Sequence, residues 1–102
     1  MYENLKKKYG QNFLIDNNIL NKITDLIPYP NLKILEIGPG DGRLTDNILR
    51  TNPKYLKLIE IDEGLVKNLK DKYAKSKNID IKNENILDFN IDESYDLVIS
   101  NL

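Results

Sequence analysis

Residues 33–42 read KILEIGPGDG, and this stretch decides the fold. The apolar run at 33–37 predicts a short strand, and the three glycines at alternate positions after it predict a tight turn. Leu44, Ile48 and Leu49 then recur at the spacing of a helix. A strand, a glycine turn and a helix in this order are typical of the first unit of a parallel α/β sheet.

The same alternation continues along the chain. Residues 55–61 predict a second strand, residues 65–73 place their apolar side chains on one face of a helix, and residues 79–81 alternate as a third strand. Residues 96–100 predict a fourth, largely buried strand because three apolar residues are contiguous there. We therefore expect a three-layer, Rossmann-like parallel sheet with strand order 3-2-1-4.

A separate helix precedes this sheet. Apolar residues recur at helical spacing over 16–27, with Asp16 as a suitable N-cap, and the pattern stops before Pro28. We divide the chain into an N-terminal segment with this helix, residues 1–30, and a sheet domain, residues 31–102.

The composition narrows the chemistry. The 102 residues contain no histidine and no cysteine, which removes disulfides, thiolate metal ligands and the usual general base near neutral pH. We expect no metal site. The apolar runs are shorter than the roughly 20 residues that span a bilayer, and the N-terminus does not resemble a secretory signal. We therefore expect a cytoplasmic protein without a membrane role.

The charge balance bears on nucleic-acid binding. The formal net charge is −1, and the one dense cationic run is Lys6–Lys8. Such a run at a terminus is usually a solvated tail. A protein that holds nucleic acid by phosphate neutralisation alone needs a stronger basic field. If RNA is a substrate, we expect most of the basic surface to lie outside these residues.

The glycine turn is placed where parallel sheets bind ligands. A dinucleotide fingerprint needs a small residue at the position of Arg43, which argues against a pyrophosphate. The spacing E-x-G-x-G-x-G from Glu36 instead resembles the first motif of S-adenosylmethionine-dependent methyltransferases, whose turn faces the methionine end of the cofactor. A plain glycine-rich turn without a ligand is the alternative.

A carboxylate follows at the distance expected for ribose recognition. Glu60 lies at the carboxyl end of the second predicted strand, about twenty residues after the turn, where a nucleotide-binding sheet places an acceptor for ribose hydroxyls. Asp62 competes for this role, although a helix cap is the simpler interpretation of Asp62.

Four short motifs identify a narrower family. GQNFL at 10–14, EIGPG at 36–40, an E-x-D pair at 60–62 and SNL at 100–102 together resemble the ribosomal RNA adenine dimethyltransferases. The resemblance covers nearly all of the chain. It implies the class I methyltransferase fold and S-adenosyl-L-methionine as cofactor.

The resemblance also assigns roles to individual residues. Asn12 and Leu14 would close over the cofactor, Gly38 would contact it through its backbone, and Glu60 would hold the ribose. Asn101 would border the cofactor and act as the catalytic residue that accepts hydrogen bonds from the target amine.

One position departs from the family pattern. The family usually places an aspartate after the third strand to meet the adenine of the cofactor, whereas this chain has Asn85. Its amide oxygen can still accept from the adenine amine, but without the help of a charge. Asp88 is our second choice for this role.

The resemblance implies dimethylation of the exocyclic amine of adenines in small-subunit ribosomal RNA, with RNA contacts made mainly by parts that family members have beyond this sequence. The family motif N-L-P-Y is present here only as Asn101 and Leu102, so we expect these 102 residues alone to be inactive. Three alternatives stay open: an erythromycin-resistance methylase of large-subunit RNA, a non-catalytic RNA- or DNA-binding relative, and a small-molecule methyltransferase.

Overall fold

The computed structural model describes residues 17–91 and 93–100. Strands and helices alternate as far as the third strand, as the sequence predicted, and a connection without a described helix then leads to the fourth strand. The elements are α1 (Asn17–Asp25), β1 (Lys33–Ile37), α2 (Arg43–Leu49), β2 (Tyr55–Glu60), α3 (Glu63–Lys72), β3 (Ile79–Asn83) and β4 (Leu97–Ser100).

The four strands form one parallel sheet in the order β3-β2-β1-β4. The predicted strand order 3-2-1-4 is confirmed, because Ile34 pairs with Leu97 and Leu35 pairs with Val98. Ile37 at the end of β1 pairs with Ile59 near the end of β2. The carboxyl ends of these two central strands therefore lie side by side.

The main buried cluster lies on one face of the sheet, although Leu35 and Ile59 on the other face are also buried. Leu20 from α1, Ile48 from α2 and Leu69 from α3 belong to the same buried cluster as Ile34 and Leu56 of the sheet. All three described helices therefore pack on the same face, giving two layers. The third layer that we expected, on the opposite face, is not seen within residues 17–91 and 93–100.

The burial of β4 differs from the prediction. Leu97 and Ile99 are partly buried against the core, but Val98 is 52% exposed. A parallel strand is buried on both faces only when both faces of the sheet are covered. The prediction of a largely buried fourth strand was therefore wrong for the face that carries Val98.

Three elements are shorter than predicted: α1, β2 and β4, which begins at Leu97 rather than at residue 96. Helix α1 ends at Asp25, and the N–H groups of Leu26 and Ile27 then bond three residues back, which is the tighter geometry of a helix end. The cause is Pro28, which disfavours helical backbone at the residue before it. The predicted cap at Asp16 lies outside the described residues. Strand β2 ends one residue early, at Glu60.

Candidate functional site

The glycine turn after β1 adopts left-handed backbone at all three glycines. The φ angles are 72° at Gly38, 62° at Gly40 and 90° at Gly42. The Gly38 N–H donates to the Ile59 carbonyl oxygen at 2.9 Å, which attaches the start of the turn to β2. Residues with a Cβ rarely adopt this backbone, so the alternating glycines are required by the shape of the turn.

Glu60 joins this turn to the end of β2. Its Oε1 accepts a hydrogen bond from the Gly40 N–H at 3.1 Å, and its Oε2 accepts from the Asp62 N–H at 3.0 Å. The side chain is only 1% exposed. The structure thus brings the predicted turn and the predicted ribose carboxylate into direct contact.

A second carboxyl group, that of Glu36, is buried on β1. The Thr45 hydroxyl donates to Oε1 at 2.6 Å, whereas Oε2 has no hydrogen-bond partner among the described residues. Burial raises the pKa of Glu36 from 4.5 to about 7; the Thr45 hydrogen bond opposes this, and the charges of Asp46 and Glu60 add to it. Glu36 can therefore carry a proton near neutral pH.

Asp62 caps α3. Its Oδ1 accepts from the Leu65 N–H at 2.8 Å, and the residue has extended backbone, as an N-cap does. The helix-cap interpretation of Asp62 is confirmed. Glu60 therefore remains the stronger candidate for the ribose.

The two candidates for the adenine follow β3. The end of β3 is tied to Glu60, since Asn83 Nδ2 and the Glu84 N–H both donate to the Glu60 carbonyl oxygen, at 3.0 and 3.1 Å. Asn85 is partly buried, and its Oδ1 accepts from the Leu87 N–H at 3.0 Å. Asp88 is exposed and donates its N–H to the Asn85 carbonyl oxygen.

Three of the predicted site residues cannot be placed. Asn12, Leu14 and Asn101 lie outside the described residues. Their assigned roles stay predictions.

The structure adds a residue that the sequence did not single out for the site. Tyr73 was predicted only as part of the apolar face of a helix. Its hydroxyl group lies 3.1 Å from the Gly42 carbonyl oxygen, at the far end of the glycine turn. The local spacing of the sequence carries no signal for this contact, because 31 residues separate the two positions.

The glycine turn and the Glu60 carboxylate together suit an organic cofactor with hydroxyl groups. A turn that lets a ligand approach the backbone lies beside a carboxylate that can accept hydrogen bonds.

Within residues 17–91 and 93–100, no cluster of three or more acidic residues could hold a metal ion. None of the helices in these ranges is long and apolar enough to cross a bilayer.

Comparison with known proteins agrees with this geometry. Residues 2–101 match the family described as ribosomal RNA adenine dimethylase. The chain is 45% identical over 103 residues to the ribosomal RNA small subunit methyltransferase A of Mycoplasma mobile, an alignment that covers 100% of this chain and 40% of that protein.

Two solved structures are also similar. A dimethyladenosine transferase from Plasmodium falciparum has a TM-score of 0.77 at 26% identity, with 89% of this chain and 34% of that chain covered. The 23S rRNA methyltransferase ErmE has a TM-score of 0.67 at 33% identity, with 76% of this chain and 32% of that chain covered.

This sequence therefore spans well under half the length of the relatives that it matches. The match nevertheless runs along almost the entire chain, and the sheet order and glycine turn agree with it. The fold and the family imply a methyl donor of the S-adenosylmethionine type. The chain belongs to the ribosomal RNA adenine dimethylase family.

Proposed function

We propose that the protein is an S-adenosyl-L-methionine-dependent methyltransferase that dimethylates the exocyclic amine of adenines in small-subunit ribosomal RNA. The observation that carries the proposal is the family match over residues 2–101. The contact between the glycine turn and Glu60 supports it, because that contact places a close-approach backbone beside a hydroxyl acceptor.

The described residues suggest how the cofactor is held. The Gly38 N–H already donates to Ile59, so its carbonyl oxygen and α-carbon are the groups left to border the methionine end. Carboxylate oxygens can each accept more than one hydrogen bond, so Glu60 is suited to hold ribose hydroxyls as well as the Gly40 and Asp62 N–H groups. Asn85 follows the strand that is tied to Glu60, so we assign Asn85 to the adenine, with Asp88 as the alternative.

The chemistry asks for alignment rather than a strong base. Bound S-adenosylmethionine supplies an electrophilic methyl group, and the protein must hold the adenine amine in line with it at roughly 3–3.5 Å. We assign that task to Asn101, whose amide oxygen can accept a hydrogen bond from the amine. This alignment does not require a histidine, and residues 1–102 contain none.

The RNA partner is proposed from the relatives. The name of the Mycoplasma mobile protein refers to the small ribosomal subunit, whereas these residues carry a net charge of −1. We infer that basic surface outside them makes most of the phosphate contacts. We also propose a cytoplasmic location, because the proposed substrate is ribosomal RNA.

The test is a methyl-transfer assay with the complete gene product. The protein is incubated with radiolabelled S-adenosylmethionine and with separated small and large ribosomal subunits from cells that lack adenine dimethylation. Digestion to nucleosides and mass spectrometry then identify the product. We expect N6,N6-dimethyladenosine in the small-subunit RNA.

Other results would support the competing functions. Label in the large subunit alone would favour an activity like that in the name of ErmE, the 23S rRNA methyltransferase. Tight cofactor binding without transfer to either subunit would favour a binding-only relative. Transfer to small molecules alone would contradict the assignment to RNA.

A further inference from the structure

Tyr73 reaches the glycine turn from the end of α3. The side chain is 7% exposed, and its hydroxyl oxygen lies 2.7 Å from Asp46 Oδ1 and 3.1 Å from the Gly42 carbonyl oxygen. Both partners belong to the segment in which the turn becomes α2. A single hydroxyl group, with one proton shared between these two acceptors, therefore connects the end of α3 to the last glycine of the turn.

Gly42 is shaped for this contact. Its φ angle is 90°, and a Cβ atom added there would lie 2.7 Å from the Tyr73 hydroxyl oxygen. The Gly42 carbonyl oxygen also accepts the Asp46 N–H at 2.8 Å, which forms the first turn of α2. The hydroxyl group thus meets the backbone at the point where the turn ends and the helix begins.

A neighbouring lysine makes a weaker version of the same connection. Lys72 Nζ lies 2.9 Å from Asp46 Oδ2 and 3.3 Å from the Asp41 carbonyl oxygen. The Lys72 and Asp46 side chains are 40% and 42% exposed, and exposed ion pairs contribute little to stability.

Burial, followed by the Asp46 hydrogen bond, raises the pKa of Tyr73 above its ordinary value. The hydroxyl group consequently stays a proton donor.

We propose that Tyr73 is a positioning residue for the cofactor: its hydroxyl group holds Gly42 and Asp46 so that the glycine turn keeps the conformation that receives the methionine end. The inference rests on the proposed function, since it assumes that the turn binds S-adenosylmethionine. The physical reason is preorganisation, because a turn that must be ordered during binding loses affinity.

The experiment compares two tyrosine variants of the complete protein. Tyr73→Phe removes the hydroxyl group and keeps the ring. Tyr55→Phe is the matched control, because the Tyr55 hydroxyl also bonds an aspartate, Asp80, but at the opposite end of the sheet. Calorimetry measures the affinity for S-adenosylhomocysteine, and amide hydrogen exchange measures the protection of residues 39–43 in the free protein.

We expect Tyr73→Phe to weaken S-adenosylhomocysteine binding about tenfold, the equivalent of one hydrogen bond, and to speed exchange within 39–43. Tyr55→Phe should change neither, even where urea unfolding shows a similar loss of stability. If Tyr73→Phe does not fold, Asp46→Asn should show the same two effects at smaller size.

Two results would overturn the inference. Equal affinity and equal protection in the two tyrosine variants would show that the hydroxyl group does not position the turn. An unaltered protein that fails to bind S-adenosylhomocysteine would contradict the proposed function, and the exchange data would then decide separately whether Tyr73 orders the turn.

Discussion

Glu36 places an ionisable group in the interior beside the glycine turn. Its carboxyl group is fully buried, one oxygen accepts from Thr45, and the other has no partner in the described ranges. A buried carboxylate without full hydrogen bonding is costly, so the group favours its neutral form. Folding is therefore linked to the protonation of Glu36.

The sign of this linkage is fixed by the direction of the shift. Burial raises the pKa of Glu36 in the folded state to about 7, from 4.5. Protonated Glu36 therefore contributes fully to the stability of the folded protein below pH 4.5. This contribution to the free energy of unfolding is lost as the pH rises through 7, a change on the order of 3 kcal/mol. We expect Glu36→Gln to remove this pH dependence. Urea unfolding at pH 5 and pH 8 measures it, with exposed Glu84→Gln as the control; the same slope in Glu36→Gln would contradict the assignment.

Gly42 gives a second prediction at this scale. Gly42→Ala must adopt a φ angle of 90° and meet the Tyr73 hydroxyl at 2.7 Å, so we expect a loss of about 2 kcal/mol in the free energy of unfolding. Gly64→Ala is the control, because Gly64 lies in α3 with ordinary backbone. Its stability should change by no more than about 1 kcal/mol. Similar losses in both variants would show that the backbone at Gly42 is not special.

At the scale of the elements, the spacing of apolar residues and glycines correctly predicted the features that depend on neighbouring residues in the sequence. The bounds of β1 and the position of the glycine turn follow from the spacing within 33–42, and the structure has them where the sequence placed them. The strand order also follows, because right-handed crossovers leave few arrangements of β-α-β units. The end of α1 was missed by two residues, since apolar spacing continued through Ile27 while Pro28 ended the helix.

Contacts between distant segments were not predictable in the same way. The hydrogen bond from Gly40 to Glu60 and the one from Tyr73 to Gly42 join positions 20 and 31 residues apart. Tertiary packing alone sets such pairs. The exposure of Val98 depends on what covers the second face of the sheet, which the sequence of β4 cannot reveal.

Lys57 connects β2 to β3 and to the crossover that precedes β4. Its side chain is 10% exposed, on the face away from the helices, with Nζ 3.4 Å from Asp80 Oδ2 and 3.5 Å from Glu93 Oε1. Nζ also lies 5.4 Å from the centre of the Phe89 ring. Two carboxylates therefore share one buried ammonium group.

This sharing predicts a non-additive loss of stability. Asp80→Asn or Glu93→Gln alone leaves Lys57 with one carboxylate, whereas the double variant leaves a buried ammonium group with neither. Uncompensated buried charge is strongly destabilising, so the double variant should lose more stability than the sum of the single losses. Adding Lys57→Met to the double variant should recover much of it. Urea midpoints test this, and strictly additive losses without recovery would contradict it.

At the scale of the whole molecule, the topology assembles the site. The two central strands are neighbours in the sheet, and their carboxyl ends are in register, with Ile37 beside Ile59. That register places the glycine turn against Glu60. At the opposite end of β1, the backbone N–H of Lys33 donates to Asp96 Oδ2 at 2.8 Å. The proposed cofactor contacts and the hydrogen bond between Lys33 and Asp96 thus lie at opposite ends of β1.

The last prediction concerns the carboxylate that this topology positions. Glu60 supports the turn, so a loss of affinity alone would not prove that it contacts the ribose. We therefore expect Glu60→Gln, in the complete protein, to weaken S-adenosylhomocysteine binding by roughly 1.5–3 kcal/mol, whereas exposed Glu84→Gln has no effect. A 2′-deoxy analogue should bind the unaltered protein more weakly than S-adenosylhomocysteine, but this penalty should be smaller in Glu60→Gln, because an amide oxygen accepts the hydroxyl without the help of a charge. Calorimetric titration gives all five affinities, including that of the Glu84→Gln control. An equal penalty for the deoxy analogue in both proteins would place the ribose contact elsewhere and leave Glu60 with its structural role at Gly40 and Asp62.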